Sequence, residues 1–559
     1  MRRMAAWIAL GLTAAALVGG SQGAGLMADL ILLNGKIWTV DAARPWAEAV
    51  AVCGGRIAAV GTTAEIVRLG GAETQVIDLR GAFVLPGFID SHVHFLNGGL
   101  SLLSIQLRDA RTKAEFIARI GAKARELPQG EWILNGDWDH QQFDPVELPR
   151  REWIDAATPD HPVCINRLDG HMVLCNSLAL KLGGVTRDTP APPGGEIVKD
   201  PATGEPTGIL KDAAMDLVFR KVPETTPAQA RRAALAALAY AAARGVTSVH
   251  DVSGETGIDI YQDLRRDGRL TTRIYFYVPI TTVDEIVRLK LKNGFGDETL
   301  RFAGVKGFVD GSLGSATAYF FEPYTDEPGK TGLLNEEMFP QGIMEKRVRA
   351  ADRAGLQAAV HAIGDRANAV MLDIYEKISA EDPPRDRRFR IEHAQHIRPS
   401  DFARFARLGI IASVQPYHAI DDGRWAEKKI GPQRARTTYP FQSFLDHGVR
   451  LAFGSDWPVA PMDPLWGLYA AVTRRTLDER YPGGWVPEQK IPLEAAIRAY
   501  TLDAAYAEFA ETVKGSIRPG FLADFVVLDR NLFVIKPEDI RLVKVVRTIC
   551  GGKTVFQVQ

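Results

Sequence analysis

Short apolar runs alternate with helical patterns through the middle of the chain. The clearest helical pattern begins after Thr226, which forms a capping box with Gln229, has Pro227 in its first turn, and stops at Gly245. Alternation of strands and helices is typical of parallel α/β folds, and eight such units predict a closed (β/α)8 barrel of the TIM type. The eight strands are predicted at 83–90, 246–251, 273–278, 303–309, 356–360, 388–392, 409–414 and 450–453.

The two ends of the chain have a different pattern, in which short β-rich segments are separated by Gly-containing turns. Neither end, 28–85 or 511–559, is large enough to bury a core of its own. We therefore expect the two ends to pair in one β domain, with the barrel at 86–510 between them.

The interval between the first and second predicted barrel strands is much longer than one βα unit. From Ser91 to Val246 the chain runs 246 − 91 = 155 residues, whereas a βα unit needs about 30. The excess predicts an inserted subdomain at about 100–225. Because loops that follow barrel strands form the active sites of this fold, the insert is expected to shape the substrate pocket.

Residues 1–27 resemble a secretory signal peptide. A basic pair, Arg2 and Arg3, precedes an apolar stretch that is short for a membrane span and is followed by small residues. The pattern predicts an exported protein, periplasmic or extracellular. Two alternatives remain: an uncleaved anchor that contacts the membrane, or translation from Met27 and a cytoplasmic protein.

The charge balance is close to neutral, with 67 Lys and Arg against 68 Asp and Glu. It gives no electrostatic basis for binding nucleic acid. The four cysteines are too few and too scattered for a disulfide framework or a CxxC zinc site, and each is expected to be a small buried residue. A monomer and a homodimer both remain open.

Ligand-type side chains follow five of the predicted strands. His92 and His94 are two residues apart, so both imidazoles face the same side of an extended chain. Imidazole and carboxylate groups gathered at the carboxyl ends of the strands predict a divalent metal site, with zinc as the expected ion. The set is His92, His94, Lys306, His361, His393 and Asp456.

These residues occur within longer motifs that resemble the amidohydrolase superfamily, and within it the YtcJ-like group, amidohydrolase family 3, which includes N-substituted formamide deformylases. The motifs are DGSLGSATA at 310–318, HAIGDRA at 361–367, IEHAQ at 391–395 and GSDWP at 454–458, and both chain ends match as well. The resemblance implies a (β/α)8 barrel with a composite β-sandwich built from both chain ends.

The resemblance also implies the roles of the ligands. His92, His94 and Asp456 would hold one ion and His361 and His393 a second, with a carbamylated Lys306 bridging them. An unmodified ammonium has only donors and cannot ligate. The alternative for Lys306 is an ion pair with Asp310 or Glu392, which would leave a mononuclear site.

The expected reaction is hydrolysis of a C–N bond in an amide or N-substituted formamide by a metal-activated hydroxide, with Asp456 as general base and then general acid. An isomerase or deaminase on the same scaffold, and a non-catalytic binding protein, are the alternatives. Trp138 and His171 are expected to contact substrate, with packing as the alternative. Glu392 and Asp365 are candidates to orient the imidazoles, and His250 is expected to act behind the ligands rather than as one of them.

Overall fold

A parallel sheet of eight strands forms the centre of the computed structural model, which describes residues 27–558. Each strand pairs with its sequence neighbours, and the backbone N–H of Asp456 donates to the carbonyl of His92 (2.7 Å), which joins the last strand to the first. The predicted barrel is therefore confirmed. Its strands are β1 (Phe88–Val93), β2 (Val246–Asp251), β3 (Arg273–Pro279), β4 (Leu300–Phe308), β5 (Gln357–Ala362), β6 (Arg390–His393), β7 (Ile411–Val414) and β8 (Leu451–Phe453).

Helices surround this sheet. Pro227–Ala242 begins at the predicted capping box of Thr226 and Gln229. Its row of buried alanines belongs to the same apolar core as side chains of the barrel strands. Gly245 follows in a left-handed conformation (φ 75°) and turns the chain into β2. The others are Phe95–Leu102, Ile258–Arg266, Val283–Leu289, Ile343–Arg353, Asp365–Glu381, Phe402–Leu408, Pro416–Asp422, Ala426–Ala435, Phe441–Asp446, Pro464–Thr473, Leu493–Ala499 and Leu502–Ala507.

The two chain ends form a β-sandwich together, as predicted. Leu30, Val84 and Phe525 belong to one apolar core that is shared by its two sheets. One sheet is ordered Arg56–Gly61, Ala49–Cys53, Leu30–Leu33, Gln75–Asp78. The other is ordered Lys553–Gln557, Val545–Cys550, Phe525–Leu528, Phe83–Pro86, Lys36–Trp38, Trp46–Ala47.

The prediction of one continuous strand at 83–90 was wrong, because the structure has two strands there. Phe83–Pro86 belongs to the sandwich and Phe88–Val93 is β1 of the barrel. Gly87 lies between them: its N–H donates to the carbonyl of Asp524 (2.9 Å), and a Cβ there would lie 2.2 Å from Oγ1 of Thr247. The chain thus passes from one sheet to the other where only a hydrogen side chain fits.

The long interval after β1 folds into an inserted unit with a five-stranded sheet and its own apolar cores. The boundaries predicted for the domains stay a prediction. The strands, in sheet order, are Gly195–Lys199, Pro206–Asp212, Met172–Cys175, Val163–Asn166 and Ile133–Leu134, and the helices are Lys113–Glu126, Arg151–Ile154, Ser177–Gly183 and Asp216–Phe219.

The predicted signal segment lies, except for Met27, outside the described residues, so export stays a prediction. Within residues 27–558, no helix combines the length and the apolar character that crossing a bilayer requires.

Candidate metal centre

The end of β1 carries the first two predicted ligands. His92 lies in the strand, and His94 is the residue that precedes helix Phe95–Leu102. Nδ1 of His92 lies 2.6 Å from Oε2 of Glu392, and Nδ1 of His94 lies 3.2 Å from Oγ of Ser253. Because a carboxylate only accepts, Nδ1 of His92 carries a proton, and Nε2 is the ring nitrogen that faces the cluster. That Nε2 is buried and has no hydrogen-bond partner among the described residues.

His393 and Asp456 complete a compact cluster with His92. One ligand atom from each of these three residues lies within 4.8 Å of the other two. Oδ1 of Asp456 is 3.3 Å from Nε2 of His92 and 3.4 Å from Nε2 of His94. His393 (φ 72°) and Asp456 (φ 60°) both have left-handed backbone conformations at the ends of their strands, which is costly and is typical of functional positions.

His361, a further predicted ligand, lies beside the same cluster. The His361 ring at the end of β5 is 4.5 Å, centre to centre, from that of His393. Nδ1 of His393 donates to Oε1 of Gln415 (2.8 Å) and Nε2 of His361 donates to the carbonyl of Gly311 (3.1 Å), so each ring keeps one nitrogen free. The structure therefore brings all six predicted side chains to one end of the barrel.

Lys306, from β4, is buried, and its Nζ has no hydrogen-bond partner in the described part of the chain. The expected alternative, an ion pair with Asp310 or Glu392, does not form. Asp310 instead accepts three backbone N–H groups, from Tyr319, Ile363 and Gly364 at 2.7–3.0 Å. Glu392 is bound by His92 and by Arg390.

The electrostatics of the cluster suit a cation. Burial holds the pKa of His361 and of His393 well below the ordinary value, so both rings are neutral. Burial raises the pKa of Asp456, but the neighbouring histidines outweigh this and the net shift is far downwards, so it stays ionised. Burial lowers the pKa of Lys306 to about 8. At His92 the carboxylates of Asp456 and Glu392 outweigh burial, and the net shift of its pKa is upwards. Imidazoles gathered around an ionised carboxylate are a donor set that fits one or two divalent ions.

Arg390 and Glu392 support the ligands from inside the barrel. Arg390 donates to both oxygens of Glu392 (2.7 and 2.9 Å), and Glu392 in turn accepts from His92. The expectation that Glu392 orients an imidazole agrees with this geometry. Asp365 does not orient one, because its Oδ1 accepts from the N–H of Phe321 (3.0 Å). His250 contacts Arg390 through Nδ1 (2.8 Å) and lies one step further from the ligands.

A cavity of about 470 Å³ opens above the cluster, between the barrel and the insert. His171 lines it, with Nδ1 2.6 Å from Oδ1 of Asp212 and its ring 5.2 Å from that of His361. Trp138 was predicted to contact substrate but does not line the cavity. Its fully buried indole packs in the core of the insert and donates to the carbonyl of Ile165 (2.9 Å).

Two further residues that line this cavity have contacts or positions that were not predicted from the sequence. His418 lines the cavity on helix Pro416–Asp422, directly after β7, and was not among the predicted site residues. Its place after a barrel strand was the available signal. Asp169 accepts from Arg167 (2.6 Å) and from Ser315 (2.9 Å), and so it joins the insert to the loop after β4. No local pattern indicates such a contact between distant segments.

The chain is similar to known proteins over nearly its whole length. A family model described as "Amidohydrolase family" matches residues 75–556. Protein LONG AFTER FAR-RED 3 of Arabidopsis thaliana is 42% identical over 95% of this chain and 92% of its own length. Putative amidohydrolase YtcJ of Bacillus subtilis is 32% identical, and N-substituted formamide deformylase of Arthrobacter pascens is 28% identical, each over 94% of this chain and 98% of its own.

Among solved structures, an uncharacterized metal-dependent hydrolase from Pyrococcus horikoshii superposes with a TM-score of 0.74 at 29% identity. The alignment covers 91% of this chain and 99% of that one. Similarity of this extent includes the barrel, the sandwich and the insert together.

Proposed function

The chain belongs to the amidohydrolase family, and from that premise we propose that this metal-dependent hydrolase cleaves the C–N bond of an amide or N-substituted formamide, with zinc as its metal. The observation that carries the proposal is the buried cluster of His92, His393 and Asp456 at the base of the cavity. The similarity to an N-substituted formamide deformylase over nearly the whole chain supports the substrate class.

The residues that would hold the metal are those brought together at the carboxyl end of the barrel. His92, His94 and Asp456 would bind one ion, and His361 and His393 a second, with Lys306 bridging as a carbamate. A divalent ion bound there lowers the pKa of a water molecule and polarises the substrate carbonyl. Nζ of Lys306 lies 3.6 Å from the centre of the Phe308 ring and has no hydrogen-bond partner in the described part of the chain. This supports the bridging role, because an amine without an ion pair is free to be carbamylated.

Asp456 moves the proton in this proposal. Its carboxylate is ionised and lies at the base of the cavity, so it accepts a proton from the attacking water. Cleavage of the C–N bond requires a proton on the leaving nitrogen, and Asp456 returns the same proton there. Water and amide thus become a carboxylic acid, or formic acid, and an amine. His171, held by Asp212, is in position to contact the bound amide from the insert side.

The cavity wall favours a substrate with an apolar substituent. Leu134, Phe219, Phe308 and Trp425 form an apolar part of it, and among the several carboxylates that also line the cavity, Asp139 and Asp421 are paired with Arg424 or Arg167. Apolar walls with a few fixed polar groups are the usual lining of small-molecule sites. An N-substituted formamide places its polar group at the metal centre and its substituent against these side chains.

The substitution Asp456→Asn tests the proposal. We expect the rate of amine release from N-substituted formamides to fall by about 10²- to 10⁴-fold, because the amide cannot accept the proton. The assay panel should include simple amides and aminopurines, with metal content measured on each sample. Asp446→Asn, on the exposed end of helix Phe441–Asp446, is the matched control and should retain activity. Full turnover by Asp456→Asn would contradict the mechanism.

A further inference from the structure

Two of the four cysteines face each other in the insert. Cys164 lies in strand Val163–Asn166 and Cys175 in the antiparallel strand Met172–Cys175, and the two are directly opposite in the register. Their Sγ atoms are 3.5 Å apart. Cysteines scattered along the sequence are therefore neighbours in the fold.

The hydrogen bonds of this strand pair define the kind of position they occupy. Arg167 N–H donates to the carbonyl of Met172, and Asn176 N–H donates to that of Val163. Alternation along the ladder then makes Cys164 and Cys175 a non-hydrogen-bonded pair, in which the Cα atoms are about 4.5 Å apart and the side chains are closest. Disulfides form across Cα separations of about 4.4–6.8 Å, so the backbone already meets the requirement.

The surroundings place this pair beside the cavity. Cys175 is buried among Leu180 and Leu210, whereas Cys164 is buried at the cavity wall. Asn166, two residues along the same face, donates to Asp137 (2.7 Å), and both of these also line the cavity. A covalent link at Cys164 would fix the strand that holds this part of the wall.

We propose that Cys164 and Cys175 are the site of an intrachain disulfide that joins the two strands beside the cavity. The bond forms by exchange with a disulfide oxidant, either a small disulfide or an oxidised dithiol protein. The two Cys S–H groups lose two protons and two electrons, one S–S bond forms, and the S–S bond of the oxidant is reduced to two thiols. This disulfide does not depend on the reaction proposed above.

The test counts thiols in the full-length protein. The protein is incubated with oxidised glutathione, in buffer and in denaturant below the unfolding transition, and is then alkylated in full denaturant and digested. We expect the alkylated thiols to fall from four to two per chain, with one cross-linked peptide pair from Cys164 and Cys175. Reductant should restore all four. Cys53 and Cys550 are internal controls and should stay alkylated in both conditions.

The variants Cys164→Ser and Cys175→Ser should give no cross-link and three alkylated thiols each. Four alkylated thiols in the parent protein under both conditions would overturn the proposal. So would glutathione adducts on Cys164 or Cys175 in place of the cross-link, or a disulfide that includes Cys53 or Cys550. The arm in denaturant ensures that burial of the pair does not keep the oxidant away.

Discussion

Arg390 uses its whole guanidinium group inside the barrel. Besides both oxygens of Glu392, it donates to the hydroxyls of Tyr277 and Ser413 (2.9 Å each) and to the carbonyl of Ser91 (2.6 Å). The five N–H groups of a planar fork are shared among these partners, two of them on Nη2 serving three acceptors, whereas a lysine ammonium offers three donors on one atom. Arg390 is therefore a positioning residue: it holds Glu392 where Glu392 fixes the tautomer of His92.

We expect Arg390→Lys to weaken metal binding by about 10- to 100-fold, the usual effect of losing a group that orients a ligand. The measurement is competition with a chelator of known affinity, together with thermal unfolding to show that the variant is folded. Arg388→Lys is the control, because Arg388 pairs with Glu511 outside the cluster (2.8 Å). Equal metal affinity in the folded Arg390→Lys variant and the parent would refute this role.

The lowered pKa of Lys306 has its own consequence. A carbamate forms from the neutral amine, and burial lowers the pKa from 10.5 to about 8, so the neutral fraction near pH 7 is larger than for an exposed lysine. We expect incorporation of ¹³C-bicarbonate into the metal-free protein to rise with pH up to about 8 and then to level off. Carbon NMR measures this, with Lys306→Arg as the unlabelled control. Absence of label across this pH range would exclude the carbamate.

The ligand positions could be predicted from the sequence because each lies near or just after the carboxyl end of an apolar strand, and parallel strands end at one edge. His92 and His393 are examples. Arg390, and Ser413 to which it donates, were not recognised as residues that support the ligands. Arg390 and Glu392 are two residues apart in β6 and therefore lie on the same face of the strand. The sequence did not decide between substrate contact and packing for Trp138, because its environment depends on how the insert folds on itself.

At the scale of elements, the chain changes sheets at Gly87 without a loop. A continuous apolar run from Phe83 to Ile89 conceals this boundary, since both strands are buried on both faces. The dipeptide Pro86-Gly87 was the only local sign of it. Other strand ends also differ from the prediction. For example, β4 begins at Leu300 rather than at residue 303.

The substitution Gly87→Ala should destabilise the protein by about 1–3 kcal/mol, because the added methyl group overlaps the side chain of Thr247. Thermal unfolding measures the effect. Gly483→Ala is the control: around Gly483, a Cβ would meet no atom of the described chain within 4 Å, and its φ is not left-handed. If Gly87→Ala unfolds like the parent protein, the junction is less constrained than we infer.

At the scale of the whole molecule, a buried ion pair joins the barrel to the sandwich. Arg273 at the start of β3 donates to both oxygens of Asp524, at 2.7 and 2.9 Å. Asp524 also accepts from the N–H of Gly551 (2.7 Å), so the same carboxylate holds the turn before the last strand. The three contacts connect parts of the fold that are distant along the chain.

Asp524→Ala should reduce stability by about 3–5 kcal/mol, because it leaves the Arg273 guanidinium buried and without its counter-charge. Glu298→Ala is the matched control. It removes an exposed ion pair with Arg56, which is worth at most about 1 kcal/mol. Denaturant unfolding of both variants provides the comparison. Equal losses in the two variants would mean that the Arg273–Asp524 pair does not stabilise the interface.

The sandwich also has a consequence for how the protein is made. Strand Phe83–Pro86 pairs with Lys36–Trp38 on one side and with Phe525–Leu528 on the other. A ribosome that adds about 5–20 residues per second needs about 20 to 90 s to travel from Pro86 to Phe525. During that time the newly made strand presents an open, apolar edge. Chaperone binding to the nascent chain would protect this edge until the final residues are synthesised.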